Sequence, residues 1–174
     1  CYEENGNYYN RFYFVHPDGA VQHYDKKHLF TFGGEHKRFT AGTERVVVNF
    51  RGVRILLEVC YDLRFPVWAR NLGDYDMILY VASWPTPRVD AWSALLRARA
   101  IENQCYVAGV NRMGVDPACE YSGGSAIIDP YGKTIAECPW SRESAVSADI
   151  DMEALQAFRK KFPVLDDADP FTLI

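Results

Sequence analysis

Apolar positions along this chain follow two rhythms. Residues 8–15 (YYNRFYFV) are aromatic-rich and strand-like, His16-Pro17-Asp18-Gly19 has turn chemistry, and residues 20–26 return as a partner strand. The same hairpin pattern recurs as Ser125-Ala126-Ile127-Ile128, the turn Asp129-Pro130-Tyr131-Gly132, and Lys133-Thr134-Ile135-Ala136. Between them the pattern shifts to short continuous apolar runs. Val46-Val47-Val48 and residues 53–59 read as strands flanking the Arg51-Gly52 turn, and residues 77–82 (MILYVA) and 106–110 (YVAGV) read as buried strands. Residues 66–72 are expected to form a short helix. Residues 87–104 are the strongest helical segment, with Pro87 suited to a first turn, and residues 151–161 form a second helix led by Asp151. Residues 145–150 read as a last extended segment. Strands alternating with helices, plus hairpins, give a mixed α/β layered domain over 1–174, with no solenoid repeat, low-complexity segment or internal linker. The irregular stretch 31–44 (TFGGEHKRFTAGTE) is a loop of the kind that carries function.

Composition narrows the partners. The chain has 174 residues, 48% hydrophobic and 24% charged, and its 19 basic and 23 acidic residues give a net charge of −4. No Lys/Arg block marks a nucleic-acid or anionic-membrane surface, and no apolar run reaches the length of a membrane span. Five scattered cysteines without a Cys-x-x-Cys pair fit reduced thiols better than a disulfide framework. The first residue is Cys1 rather than Met, so the chain reads as cut from something longer, and any upstream targeting signal lies outside it.

The candidate chemistry centres on Cys60, where the apolar run Ile55-Leu56-Leu57-Glu58-Val59 ends and Tyr61-Asp62-Leu63-Arg64 begins. A cysteine between a strand and a helical turn meets free N–H groups that stabilise a thiolate and an oxyanion. Taken alone it reads as a small hydrophobe capping a buried strand, the commoner fate of a cysteine. Lys26-Lys27 close a strand ahead of the glycine-rich loop, and Glu35 follows Gly33-Gly34 inside that loop. By themselves these are a solvated strand end and a loop carboxylate.

Together the segments resemble the nitrilase superfamily of carbon–nitrogen hydrolases, whose catalytic set is Glu-Lys-Cys with a second Glu. The lysine of its Tyr-x-Lys-x-His-Leu segment matches Lys26, the nucleophile of Cys-Tyr-Asp-x-Arg-Phe-Pro matches Cys60, and the second glutamate matches Glu35. The resemblance continues through residues 80–85 (YVASWP), 98–104 (ARAIENQ) and 109–112 (GVNR), and in detail is similar to the ω-amidase (2-oxoglutaramate amidase) branch. It implies an α-β-β-α sandwich, pairing into homodimers, a cytoplasmic location, and catalysis without metal or organic cofactor. It also implies hydrolysis of a linear amide through a Cys60 thioester. The oxyanion is held by the Lys26 ammonium and the Tyr61 backbone N–H.

Several assignments stay open at this level. Arg64, four residues after Cys60, either pairs with Asp62 or Glu58 or grips the far carboxylate of a dicarboxylate ω-amide. Trp84 is expected in the pocket wall. His23, His28 and Glu102 are read as structural, Glu102 pairing with Arg99. The family's first glutamate, the general base, precedes the lysine. Glu3, Glu4, Asp18 and Asp25 do not match it, so the domain is read as N-terminally incomplete and, alone, inactive unless a second polypeptide completes it. Truncation predicts an exposed apolar patch or unpaired strand beside the Cys60 pocket, or a companion chain there. Competing readings are action on an N-carbamoyl compound or a nitrile, a non-catalytic scaffold, and a thiol redox protein.

Overall fold

Residues 1–172 are described by the computed structural model. In chain order the strands are β1 (Tyr2–Glu4), β2 (Asn7–Tyr9), β3 (Arg11–Val15), β4 (Val21–Asp25), β5 (Val47–Phe50), β6 (Val53–Val59), β7 (Met77–Ala82), β8 (Tyr106–Asn111), β9 (Met113–Val115), β10 (Glu120–Ser122), β11 (Ala126–Ile128) and β12 (Thr134–Glu137). The helices are α1 (Val89–Glu102) and α2 (Met152–Lys161).

A six-stranded mixed sheet in the order β12-β11-β8-β7-β6-β5 forms the frame. The parallel trio β6, β7 and β8 sits at its centre, and β5, β11 and β12 add antiparallel. Central strands buried on both faces read as continuous apolar runs, which is why β6 and β7 were legible without alternation. On one face Leu56, Ile78, Tyr80 and Val107 pack against Trp92, Leu96 and Ala100 of α1, residues at helical spacing. Gly109 of β8 makes this approach possible: a Cβ there would lie 2.6 Å from Leu96 and 2.7 Å from Trp92. The opposite face carries Ile55 and Leu57 against Tyr24, Phe12 and Phe14 of the β3–β4 ribbon, with Trp68 completing the cluster.

That ribbon covers only the β5–β6 side. On β8, opposite Val81 in register, Val110 is 55% exposed, so apolar surface is uncovered beside the strand that lines the Cys60 pocket. The 145–150 segment is not a strand; residues 141–150 are mostly exposed and find no sheet edge to join. Asp151 caps α2, its carboxylate accepting from the Ala154 N–H at 2.8 Å. Among the described residues no helix is long and apolar enough to cross a membrane.

Candidate active site

The site is built where β6 stops. Cys60 has φ of +49°, a left-handed conformation that a non-glycine residue adopts at a cost of roughly 1–3 kcal/mol. It opens a 3-10 helix, Cys60–Arg64. The helical turn therefore starts at the cysteine itself and ends at Arg64; the helix expected over 66–72 is absent, because the chain there closes only isolated, long turn bonds, Ala69 N–H to the Phe65 carbonyl and Arg70 N–H to the Val67 carbonyl, both 3.4 Å. In a first turn the Tyr61 N–H has no intrahelical carbonyl to receive it, and is free to meet a ligand.

Asp62 holds this turn in place. One of its oxygens accepts from the Tyr24 hydroxyl at 2.9 Å and, reaching back, from the Val59 N–H at 3.1 Å. Its other oxygen accepts from the His28 N–H at 2.9 Å and faces His28 Nδ1 at 2.8 Å. The carboxylate is fully buried and ties β4, the following loop and β6 to one point. From α1, the Arg99 guanidinium donates to the Leu63 carbonyl at 2.6 Å and pairs with Glu102 at 2.7 Å, so Glu102 is structural, as read from spacing. His28, stacked on Phe65 at 3.7 Å, likewise belongs to the scaffold.

Lys26 reaches the cavity from the end of β4. Only 4% of it is exposed, and its ammonium donates to both oxygens of Glu35 at 2.7 and 2.9 Å. Glu35 also accepts from the Asn10 side-chain amide and the Phe30 N–H. With both oxygens occupied by donors, Glu35 is an anchor for Lys26. Burial pushes the Cys60 thiol up from its ordinary range, and the nearby Lys26 charge pulls it down. The thiol also lies 3.9 Å from the Ser83 carbonyl.

Lys26, Glu35, Cys60, Tyr61, Arg64 and Trp84 line one cavity of about 810 Å³. Neither Asp62 nor Glu58 pairs with Arg64. Asp62 is spent on the scaffold, and the Arg64 guanidinium instead lies 5.1 Å from the Trp84 ring centroid. Trp84 is fixed through its backbone, accepting from and donating to the Asn111 side chain at 3.0 and 2.7 Å. Glu58 is fully buried beneath the turn with neither oxygen hydrogen-bonded among the described residues, and burial, then Asp62, pushes its carboxyl well above the usual range. Sequence reading missed the roles of Asp62 and Asn111, and the one local signal was an aspartate at the third position of a turn. Among the described residues no group of three or more His, Cys, Asp or Glu side chains is placed to hold a metal ion.

The carbon-nitrogen hydrolase family model matches residues 1–160. The chain belongs to this family. ω-Amidase YafV of Escherichia coli (strain K12) is 54% identical over 165 residues, 94% of this chain and 64% of the relative. 2-Oxoglutaramate amidase of Bacillus subtilis (strain 168) is 40% identical over 167 residues, again covering 94% and 64%. The chain thus spans less than two thirds of the length of these curated relatives. The crystal structure of XC1258 from Xanthomonas campestris, a CN-hydrolase superfamily protein with an arsenic adduct in the active site, superposes with a TM-score of 0.95 at 47% identity, over 98% of this chain and 68% of that one. The mixed α/β architecture is therefore that of the nitrilase superfamily, as the sequence motifs implied. In the turn formed by β1 and β2, Glu3 accepts from the Gly6 N–H and Glu4 pairs with Arg11 at 3.1 Å.

Proposed function

We propose that this carbon–nitrogen hydrolase domain cleaves the ω-amide of a short dicarboxylate, such as 2-oxoglutaramate, through a thioester on Cys60. The observation that carries the reading is the convergence on one cavity of a left-handed Cys60, the buried Lys26–Glu35 pair and an Arg64 that has no carboxylate within 4 Å among the described residues. Cys60 Sγ attacks the amide carbon, and the thiol proton is passed to the amide nitrogen, which becomes the leaving group. The Lys26 ammonium and the Tyr61 N–H take the developing oxyanion. The C–N bond breaks, nitrogen leaves as ammonia, and water then releases the carboxylic acid from the thioester. Glu35 keeps the Lys26 ammonium aimed at the cavity. Arg64 holds the distal carboxylate and Trp84 walls the chain of the substrate between the two ends. The names of the two amidase relatives support this substrate class. The same reading takes the protein as a cytoplasmic homodimer.

The test is a comparison of substrates. Arg64→Ala is expected to lower kcat/KM for an ω-amide of a dicarboxylate by about 10- to 150-fold, the worth of a charge-assisted hydrogen bond, and leave an uncharged short amide nearly unchanged. Equal losses on both would assign Arg64 to structure and remove the dicarboxylate.

A further inference from the structure

The charges around the cavity do not balance. Its lining includes Arg11, Lys26, Arg64 and Arg88 but one carboxylate, Glu35. Glu35 is engaged by Lys26, and Arg11 is held by Asp25 at 2.7 Å and Glu4 at 3.1 Å. Among the described residues no carboxylate lies within 4 Å of Arg64 or Arg88.

The two remaining guanidinium groups are linked through Trp84. Arg64 lies against the indole face at 5.1 Å, and the indole N–H donates to the Arg88 carbonyl at 2.7 Å. A further bond from the Arg88 N–H to the Pro85 carbonyl, 3.0 Å, fixes the backbone there. From that base the Arg88 side chain crosses to the Phe30 ring at 5.4 Å; Phe30 packs edge-on against Tyr61, the residue after Cys60, at 5.0 Å. Arg88 also stands immediately before α1, where the helix dipole disfavours a cation and favours an anion. Two cations on one cavity, both resting on aromatic faces and neither paired with a carboxylate among the described residues, form a seat for negative charge.

We propose that Arg88 is a second anion-gripping residue, so that Arg64 and Arg88 together seat the carboxylate opposite the scissile amide. This rests on the dicarboxylate ω-amide reading and deepens it: the pocket selects against neutral amides with two guanidinium groups, and it retains the dicarboxylate product by the same contacts. Arg88 is thereby a specificity-determining residue and not only packing for Phe30.

The experiment uses Arg88→Ala, Arg88→Met and Arg88→Lys beside Arg64→Ala. Steady-state kinetics on glutaramate and on butyramide are paired with calorimetric titration of glutarate. Arg88→Met keeps the aliphatic stem over Phe30 and removes the charge. The expected result is a loss in kcat/KM for glutaramate of about 10- to 150-fold in Arg88→Ala and Arg88→Met, carried mainly by KM, with butyramide changed less than about 2-fold. Glutarate binding weakens in parallel, and Arg88→Lys recovers part of both. If Arg64→Ala shows the selective loss and Arg88→Met does not, the second-seat proposal is overturned while the dicarboxylate reading stands. Equal loss on both amides in Arg88→Met, without weaker glutarate binding, assigns Arg88 to packing and also overturns it. If neither arginine discriminates the amides, the dicarboxylate reading fails and the proposal with it.

Discussion

Lys26→Met is expected to lower kcat for amide hydrolysis by about 10²–10³-fold, the usual consequence of losing one oxyanion donor. The same substitution acts on the nucleophile. Burial already holds the Cys60 thiol high, and Lys26 is the charge that opposes it, so its removal moves thiolate formation to still higher pH. Alkylation of Cys60 by iodoacetamide, followed from pH 6 to 10 in the folded protein, should therefore shift to the alkaline side in Lys26→Met. Glu35→Gln should shift it the opposite way, since Glu35 raises the thiol, while hydrolysis still falls because Lys26 loses its anchor. The double variant Lys26→Met/Glu35→Gln leaves no unpaired buried charge, and should recover stability lost in Lys26→Met but not activity. Identical alkylation profiles for all four proteins would separate Lys26 from the cysteine.

The second large effect concerns Asp62. Asp62→Ala deprives Tyr24, Val59 and His28 of their shared acceptor in a fully buried place, and is expected to cost about 3–5 kcal/mol of stability by chemical denaturation. Asp62→Asn keeps the shape and one acceptor oxygen and should cost less. Because the same carboxylate holds the turn that begins at Cys60, Asp62→Asn should also lower kcat at temperatures where the variant remains folded. A variant losing neither stability nor turnover would show that the nucleophile turn is held by other contacts.

The parts of this molecule legible in the sequence were those fixed by local pattern. The runs that became β6, β7 and β8 are apolar because both sheet faces are covered, and α1 was legible as the helical stretch 87–104 that follows Pro87, its inward face of Trp92, Leu96 and Ala100 emerging with the fold. Cys60, Lys26 and Glu35 could be picked out only because their flanking motifs match a family; each alone had an ordinary structural reading. The helix expected over 66–72 failed because nothing local reveals that Cys60 adopts a left-handed backbone and starts a tight turn six residues earlier. The 145–150 segment has strand-like residues but no neighbouring edge, and pairing is a tertiary matter.

What escaped the sequence is mostly long-range. Asp62 meets Tyr24 and His28 across 38 and 34 positions, and Asn111 meets Trp84 across 27, so neither partnership leaves a spacing to detect. Arg64 illustrates the reverse case. Asp62 and Glu58 were its plausible sequence neighbours, yet one is committed to the scaffold and the other is buried beneath the turn, leaving the guanidinium against Trp84 in the cavity.

Hydrolysis through a covalent intermediate at Cys60 is tested most directly by rapid acid quench of the protein with an ω-amide, followed by proteolysis and mass spectrometry. The expected result is the acyl mass of the substrate less ammonia on the peptide containing Cys60, appearing within the first turnover and disappearing as substrate is exhausted. Ammonia release without an acylated Cys60 peptide at any quench time, or equal ammonia release by Cys60→Ala, would contradict it.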